Sequence, residues 1–224
     1  MVRQMLAGLK WMTRRLQGLE EINERPDDWV FTGADGVYYY FQRADHSKSI
    51  QIKCPYGQPG DVLWVREAWR KYFPSDGNGN FDWDNEVIEY AADSPEEKYL
   101  MDSDGYIETR KDGSERTIPW KPSSHMPKVA CRIWGKVKAI RPERLQDISE
   151  EDAKAEGIGR WIEDQWSSKP EHYQVYFQDT PEDPATYTSC PINSFETLWQ
   201  SINGPESWNA NPWVWVVSFK RAFP

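Results

Sequence analysis

The stretch Trp213-Val214-Trp215-Val216-Val217-Ser218-Phe219-Lys220 decides the fold class of this chain of 224 residues. β-Branched and aromatic residues follow one another here, and such a run is typical of a β-strand. We therefore expect a long strand at 213–220 and a sheet built around it.

A second strand is expected at Lys128–Ile140, where apolar and basic residues alternate. Such alternation predicts a strand with one face in the core and one cationic face. The core face comprises Val129, Cys131, Ile133, Val137 and Ala139, and the cationic face comprises Lys128, Arg132, Lys136 and Lys138.

Turn residues between apolar segments predict further strands. A hairpin is expected from Trp29–Thr32 and Val37–Gln42, which flank Gly33-Ala34-Asp35-Gly36. Ile50 and Ile52 continue this β pattern. The turn Pro59-Gly60-Asp61 leads into a short apolar run, which predicts a buried strand at 62–65. The remaining candidates are a strand at Val87–Ala91 and a hairpin around Lys111-Asp112-Gly113.

Two helices are expected in the second half of the chain. One runs from about 149 to 156, with Ser149 at capping distance from Asp152 and with Gly157 as its stop. The other is capped by Asn193 or Ser194 and ends before Gly204. Its shared apolar face comprises Phe195, Leu198, Trp199 and Ile202.

The N-terminal segment allows two interpretations. Residues 2–16 form one amphipathic helix with Met5, Leu9, Met12 and Leu16 on its apolar stripe. Alternatively, the helix ends at Gly8 and the segment from Lys10 to Leu16 is extended.

These elements predict an α+β fold, with a mixed, mainly antiparallel sheet or a small barrel and a few short helices. No repeat or long linker divides the chain, so we expect a single domain over residues 1–224. The polar segments at about 74–118 and 159–190 are expected to be loop insertions.

Composition excludes several classes of protein. Asp and Glu number 36 against 27 Lys and Arg, a net charge of -9, which disfavours a protein that coats duplex nucleic acid by charge alone. No apolar run approaches the ~20 residues of a membrane helix, and the N-terminus lacks the pattern of a signal peptide. We expect a cytoplasmic protein with no membrane association.

Metal and cofactor markers are absent from the sequence. The three cysteines and three histidines are scattered, without CxxC, HxxxH or HxH spacing, so neither a metal site nor a disulfide framework is expected. There is no GxGxxG motif and no P-loop, so we expect no nucleotide cofactor.

Three residues are candidates for catalysis. Lys10 and Thr13 lie three positions apart beside Gly8 in a local cluster of cations, and a lysine with a threonine can form an amine base with a hydroxyl nucleophile. Glu156 falls in the last turn of its helix, at the negative end of the helix dipole, which disfavours ionisation and suits general acid–base work. The alternative is that all three are ordinary solvated residues.

Candidates for ligand binding are more dispersed. Basic residues interleaved with Trp120 and Trp134 can hold phosphates and stack bases, although such residues are equally expected on the polar face of a strand. The members of this basic stretch are Lys121, His125, Lys128, Arg132, Lys136, Lys138, Arg141 and Arg144. Arg66, Glu67 and Trp69 follow the strand expected at 62–65, and they form either the rim of a pocket or the point at which the chain returns to the solvent. Asn209 lies in Trp208–Trp213, a segment whose asparagine amides either hydrogen-bond to base edges or form a turn.

Several of these segments together resemble ASCH-domain proteins of the PUA-like superfamily, particularly the form found in bacteriophages and prophages. The segments that carry the resemblance are Met5–Arg15, Pro59–Glu67, Trp120–Pro127, Arg144–Ala153 and Trp208–Trp215. The resemblance spans most of the chain except the two expected insertions. It implies a small β-barrel with flanking helices and a cleft for RNA or modified nucleosides.

The superfamily includes small bacterial amidohydrolases that deacetylate 4-acetylcytidine. By this resemblance Lys10, Thr13 and Glu156 are the catalytic residues, and they meet in one cleft. Leu9 and Trp11 depart from the family motif, in which a basic residue and a threonine stand. The residues expected to contact the substrate are Arg15, Arg66, Glu67, Trp69, Lys121, His125, Arg132 and Asn209.

The sequence therefore predicts an ASCH-type hydrolase that acts on an N-acylated or otherwise modified nucleoside or nucleotide, without a metal or organic cofactor. The chain would be phage- or prophage-encoded and would act in the cytoplasm of a bacterial host. One alternative is a noncatalytic RNA-binding module, or a ribonuclease, that uses the same cleft with the cationic face of 128–140. Another is a phage assembly or host-interaction protein with a Trp-rich surface.

Overall fold

The computed structural model describes residues 2–74, 81–93, 98, 108–161, 172–176 and 187–222. By its internal contacts the chain divides into two compact units. The first contains Arg3–Leu63 and Gly135–Pro224, and the second contains Trp64–Trp134 together with Val2. The single domain over 1–224 stays a prediction, and large parts of both expected insertions lie outside the described residues.

The described residues contain short helices and many strands. The helices are α1 (Val2–Leu6), α2 (Glu20–Asn23), α3 (Glu150–Ala155) and α4 (Pro191–Asn203). The strands are β1 (Met12–Arg15), β2 (Trp29–Ala34), β3 (Tyr38–Arg43), β4 (Ser49–Lys53), β5 (Val62–Trp64), β6 (Trp69–Tyr72), β7 (Val87–Tyr90), β8 (Trp134–Arg144), β9 (Arg160–Trp161), β10 (His172–Gln174), β11 (Tyr187–Thr188) and β12 (Trp213–Ala222). Short 3-10 helices lie at Pro26–Asp28, Ser123–His125, Lys128–Ala130, Leu145–Asp147 and Pro205–Ser207.

The strand expected at 213–220 is confirmed as β12, which lies inside a four-stranded sheet of order β1-β12-β8-β5. It pairs antiparallel with β1, with Thr13 opposite Val217. Side chains alternate across a strand. Accordingly, Val214 and Val216 belong to one hydrophobic cluster, and Trp215 and Val217 belong to another. Because both faces of β12 are covered from Trp213 to Val217, its sequence is apolar over that part.

The strand expected at 128–140 is wrong over its first six residues. Lys128–Ala130 is a 3-10 helix in which Val129 is 91% exposed, and β8 begins at Trp134. Pro127 precedes this turn, and proline has no N–H to donate to a sheet ladder. Further along, Ala139 is exposed while Ile140 is buried, so the strict alternation also breaks within β8.

The apolar run at 62–65 is not a buried strand. β5 ends at Trp64 and lies at the edge of its sheet, where Val62 is 54% exposed. An edge strand has only one neighbour to cover its side chains, so a run of apolar residues does not by itself guarantee burial.

The predicted hairpins are confirmed. β2, β3 and β4 form an antiparallel sheet with a bulge between Phe31 and Gly33. The Asp35 carboxylate accepts hydrogen bonds from the backbone N–H groups of Val37 and Tyr38 in the turn. In the second unit, β6 pairs with β7, and a bridge between Thr109 and Glu115 closes the hairpin around Lys111–Gly113.

Of the two interpretations of the N-terminus, the second is confirmed. α1 ends at Leu6, Gly8 has a φ of 72°, and the chain becomes extended in β1. This positive φ is the conformation that glycine adopts readily just past the end of a helix.

The helix expected at 149–156 is confirmed, with the Ser149 side chain accepting a hydrogen bond from the Asp152 N–H. The cap expected at Asn193 or Ser194 is wrong, because α4 starts at Pro191, a residue favoured in the first helical turn. Ser194 is buried inside the helix and donates to the Gln174 carbonyl. Ile202 is 60% exposed, so the apolar face of α4 is not fully covered.

The observed class is therefore α+β, with mainly antiparallel strands and a few short helices. No helix among the residues described above is long and apolar enough to cross a membrane.

Candidate functional site

The first unit contains a cavity of about 240 Å³. Its wall is formed by β1 and the residues around it, by the end of α3 and by one side of α4. The lining residues are Lys10, Thr13, Arg14, Arg15, Leu16, Gln17, Tyr56, Glu156, Phe195, Leu198, Trp199, Ile202 and Asn203. All three candidate catalytic residues and Arg15 are among them.

The backbone around Lys10 is held against the end of α3. The Lys10 N–H donates to the Gln4 carbonyl, and the Trp11 N–H donates to the Ala155 carbonyl at 2.8 Å. A Cβ on Gly157, which has a φ of 77°, would lie 2.7 Å from the Lys10 Cβ. A glycine at 157 therefore both ends α3 and leaves room for Lys10 to approach Glu156.

Lys10 and Glu156 form a buried ion pair. The Lys10 Nζ lies 2.7 Å from the Glu156 Oε2 and 2.6 Å from the Glu156 carbonyl oxygen, and the side chains are 2% and 5% exposed. Burial lowers the pKa of Lys10, and the Glu156 carboxylate opposes this shift. The result is a lysine whose neutral form is more accessible than that of a lysine in water.

Arg14 was not expected at the site, yet it links three carboxylates. Its fully buried guanidinium contacts Glu156 at 3.2 Å, Glu143 at 2.8 Å and Asp152 at 3.0 Å. Arg141, at the surface, contacts the same Glu143 and Asp152. Arg14 adjoins Thr13 and lies two positions from the buried Met12, so strand alternation placed it on the inner face. Nothing local indicated the distant carboxylates.

Thr13 lines the cavity but is not bonded to Lys10. The Lys10 amine donates two hydrogen bonds to Glu156, and the Thr13 Oγ1 is enclosed and has no hydrogen-bond partner among the described residues. Within β1 the side chain of Thr13 alternates with that of Arg14. The expected residues thus meet at one cavity, with Lys10 and Glu156 paired and Thr13 beside them.

Unpartnered polar atoms are concentrated in this wall. Besides the Thr13 hydroxyl, the Arg14 Nε and the Trp199 Nε1 are buried without a hydrogen-bond partner among the residues described. Buried polar groups are usually satisfied, so such exceptions point to a functional site. All three groups can donate a hydrogen bond, which favours a ligand with acceptor oxygens or nitrogens.

Aromatic side chains and the aliphatic side chains of Leu16, Leu198 and Ile202 supply the apolar part of the wall. Phe195 and Trp199 come from α4, where their helical spacing was expected, and Tyr56 comes from the loop after β4. The amide side chains of Gln17 and Asn203 complete the wall. Such a mixture of aromatic surface and a few polar groups is typical of a small-molecule site. Tyr56, Gln17 and Asn203 had no distinguishing pattern in the sequence.

The other expected substrate-contacting residues lie elsewhere in the chain. Six of them belong to the second unit, namely Arg66, Glu67, Trp69, Lys121, His125 and Arg132. Arg132 donates to both oxygens of the buried Glu67, at 2.9 and 2.7 Å, and also pairs with Asp93. Asn209 is exposed in a turn of the first unit and is not among the cavity residues.

The remaining expected residues of the second unit form two smaller groups of contacts. Trp69 and Lys121 form a backbone bridge, and the Lys121 Nζ lies 4.8 Å from the Trp69 ring centroid. Arg66 donates to the Ser124 carbonyl, and His125 is exposed in a 3-10 helix. Among these residues, Arg132 and Glu67 therefore form an ion pair, and Lys121 and Trp69 form a cation–π contact.

Within the described residues, no group of three or more His, Cys, Asp or Glu side chains is arranged to hold a metal ion. Comparison of the chain with protein-family models, curated proteins and solved structures returns no match.

Proposed function

We propose that this protein is an ASCH-type hydrolase with a PUA-like barrel, and that it cleaves an amide of an N-acylated or otherwise modified nucleoside or nucleotide. The observation that carries the proposal is that Lys10, Thr13 and Glu156 line one cavity. The segment resemblance assigns catalysis to the same three residues.

Lys10 is suited to act as the base. A neutral amine has two N–H groups and one lone pair, and both N–H groups can remain bonded to the carbonyl and carboxylate oxygens of Glu156. The lone pair is then available to accept the Thr13 proton. The burial that lowers the Lys10 pKa favours this neutral form.

The proposed reaction has two stages. Thr13 rotates about χ1 to present its hydroxyl, its oxygen bonds to the amide carbonyl carbon, and its proton goes to Lys10. The C–N bond then breaks, and the amine leaves with a proton relayed from Lys10 through Glu156. Water hydrolyses the resulting threonine ester, which releases the acid and restores Thr13. Overall, one amide and one water become one acid and one amine.

The cavity supports a small substrate. Its volume of about 240 Å³ lies below the ~300 Å³ lower end of ordinary ligand pockets, so it accommodates about one ring of a substrate. Leu198 and the 60% exposed Ile202, both from α4, line the cavity and offer apolar surface for such a ring.

The RNA-binding alternative has narrower support. Lys136 and Lys138 are exposed on β8, as that alternative expects, but the Arg132 charge is occupied by Glu67 and Asp93. A cation already held by two carboxylates contributes less to phosphate binding. We therefore place the hydrolase first and the nucleic-acid-binding module second.

A chromatographic hydrolysis assay tests the proposal on a panel of N-acylated cytidines and related modified nucleosides and nucleotides. The variants are Thr13→Val, which keeps the side-chain shape, and Lys10→Met, with the exposed Lys48→Met as the matched control. We expect turnover by the wild type and Lys48→Met, and a loss of at least about 100-fold in Thr13→Val and Lys10→Met. Wild-type turnover in Thr13→Val, or none by the wild type, would refute it.

A further inference from the structure

Arg15 is the cavity-lining cation whose charge is not balanced. It follows Arg14 on β1, is exposed and lines the cavity. Within the part of the chain that the structure describes, it forms no ion pair. Its guanidinium donates only a long bond, of 3.5 Å, to the Arg14 carbonyl. The other two cations of the wall, Lys10 and Arg14, are paired with carboxylates.

The charge of Arg15 reaches the interior of the cavity. Burial is the main cause that lowers the pKa of Lys10, and the charge of Arg15 acts in the same direction. Burial raises the pKa of Tyr56, and the charge of Arg15 opposes this shift. Arg15, Lys10 and Tyr56 all line the cavity, so the charge of Arg15 acts on groups of the same wall.

The surplus charge contrasts with the rest of the protein. The chain carries a net charge of -9, which repels anions at long range. A local positive charge beside an apolar wall therefore selects for an anion at that one place. The unpartnered donors of Thr13, Arg14 and Trp199 add to the preference for a ligand rich in acceptor oxygens.

We propose that the cavity takes a mononucleotide, with its base against the apolar side of α4 and its phosphate at Arg15. This inference rests on the proposed function for the identity of the ring, and it adds that the ligand carries a phosphate that Arg15 binds. The cavity volume accommodates the ring, and Arg15, which lines the cavity and is exposed to solvent, binds the phosphate. A guanidinium can bind two phosphate oxygens at once, so Arg15 is suited to this contact.

Calorimetric titration of the four nucleosides and their 5′-monophosphates tests the preference directly. The proteins are the wild type, Arg15→Gln and the control Arg25→Gln. The control makes the same change of charge at an exposed arginine of the same unit that lies outside the cavity wall. For at least one base, we expect the monophosphate to bind the wild type and Arg25→Gln about tenfold more tightly than its nucleoside at about 50 mM salt. In Arg15→Gln the two should bind within about threefold of each other.

The contrary outcomes are equally definite. Equal affinities for each nucleoside and its monophosphate, no binding of either, or an intact preference in Arg15→Gln would overturn the inference. A cytidine octanucleotide that binds more tightly per nucleotide than the monophosphate would assign Arg15 to the backbone of a polymer instead. Unchanged thermal unfolding of Arg15→Gln shows that the fold is intact.

The hydrolysis assay separates this inference from the proposed function. If an acylated nucleoside is cleaved as efficiently as its 5′-monophosphate, the charge preference is wrong and the hydrolase stands. If the monophosphate binds through Arg15 and no acyl group is released, the binding inference stands and the hydrolase fails.

Discussion

Replacement of Lys10 by methionine removes one partner of the buried pair and leaves Glu156 with Arg14 alone. The Lys10 Nζ makes contacts of 2.6 and 2.7 Å with Glu156, and the remaining contact from Arg14 is longer, at 3.2 Å. Breaking a buried ion pair costs about 3–5 kcal/mol, because it leaves a buried charge without compensation. Since Arg14 retains part of that compensation, we expect Lys10→Met to lose about 3 kcal/mol of unfolding free energy.

A double-variant cycle identifies the cause of this loss. Lys10→Met with Glu156→Leu removes both charges, and Arg14 keeps Glu143 and Asp152 as partners. We expect the double variant to regain most of the free energy of unfolding, as apolar replacements of buried ion pairs often do. Urea denaturation near neutral pH measures both differences. A single variant that loses less than about 1 kcal/mol, or a double variant no more stable than the single one, would refute the reasoning.

The same pair predicts a pH dependence. Because burial lowers the pKa of Lys10, the unfolded chain keeps its proton up to a higher pH than the folded chain does. Between the lowered folded pKa and the unfolded value of 10.5, the unfolded state binds more protons, so the Lys10 contribution to stability rises with pH. We expect the stability difference between the wild type and Lys10→Met to widen as pH increases through this window. A difference that narrows would contradict the direction of the shift.

Three further predictions concern single side chains. Thr13→Val removes an enclosed hydroxyl that has no hydrogen-bond partner among the described residues, so the Tm should rise by about 2–4 °C, which corresponds to about 1 kcal/mol. A decrease of the Tm by the same amount would mean that the hydroxyl is hydrogen-bonded. Hydrogen bonds from Tyr38, Tyr40 and Val37 lower the pKa of Asp35 to about 2. The wild type should therefore have a higher Tm than Asp35→Ala above pH 3.8, and this difference in Tm should vanish towards pH 2. A difference in Tm that stays constant over this range would refute the prediction. Burial raises the pKa of Cys54 to about 11, so a thiol reagent should modify it more slowly than Cys131 or Cys190, and Cys54→Ala should remove only the slow phase.

Local patterns were sufficient for much of the fold. The strand at 213–220, the hairpin around Gly33–Gly36 and the helix capped by Ser149 depend on neighbouring residues, and each is confirmed. The errors arose where one local sequence pattern is compatible with two different structures. The alternation at 128–133 reflects a 3-10 turn after Pro127, and the apolar run at 62–65 belongs to an exposed edge strand.

The candidate site divides in the same way. A lysine and a threonine three positions apart, and a glutamate at the end of a helix, were recognisable from the chain and from its resemblance to ASCH proteins. That Lys10 and Glu156 pair in a buried site could not be inferred from spacing, because 146 positions separate them in the sequence. Arg14 was missed for the same reason, since its three carboxylate partners come from β8, from α3 and from the residue that follows α3.

By itself, the sequence determined several of the strands, where several turns and helix ends fall, and which residue types were available for chemistry. Side-chain periodicity and turn preferences act over a few residues and can be recognised in the chain. Tertiary structure alone decided which strand lies at a sheet edge, which charges are buried together and which cation remains unbalanced at the cavity. Those properties depend on contacts between residues far apart in sequence, and on the loss of water around them, so no local pattern encodes them.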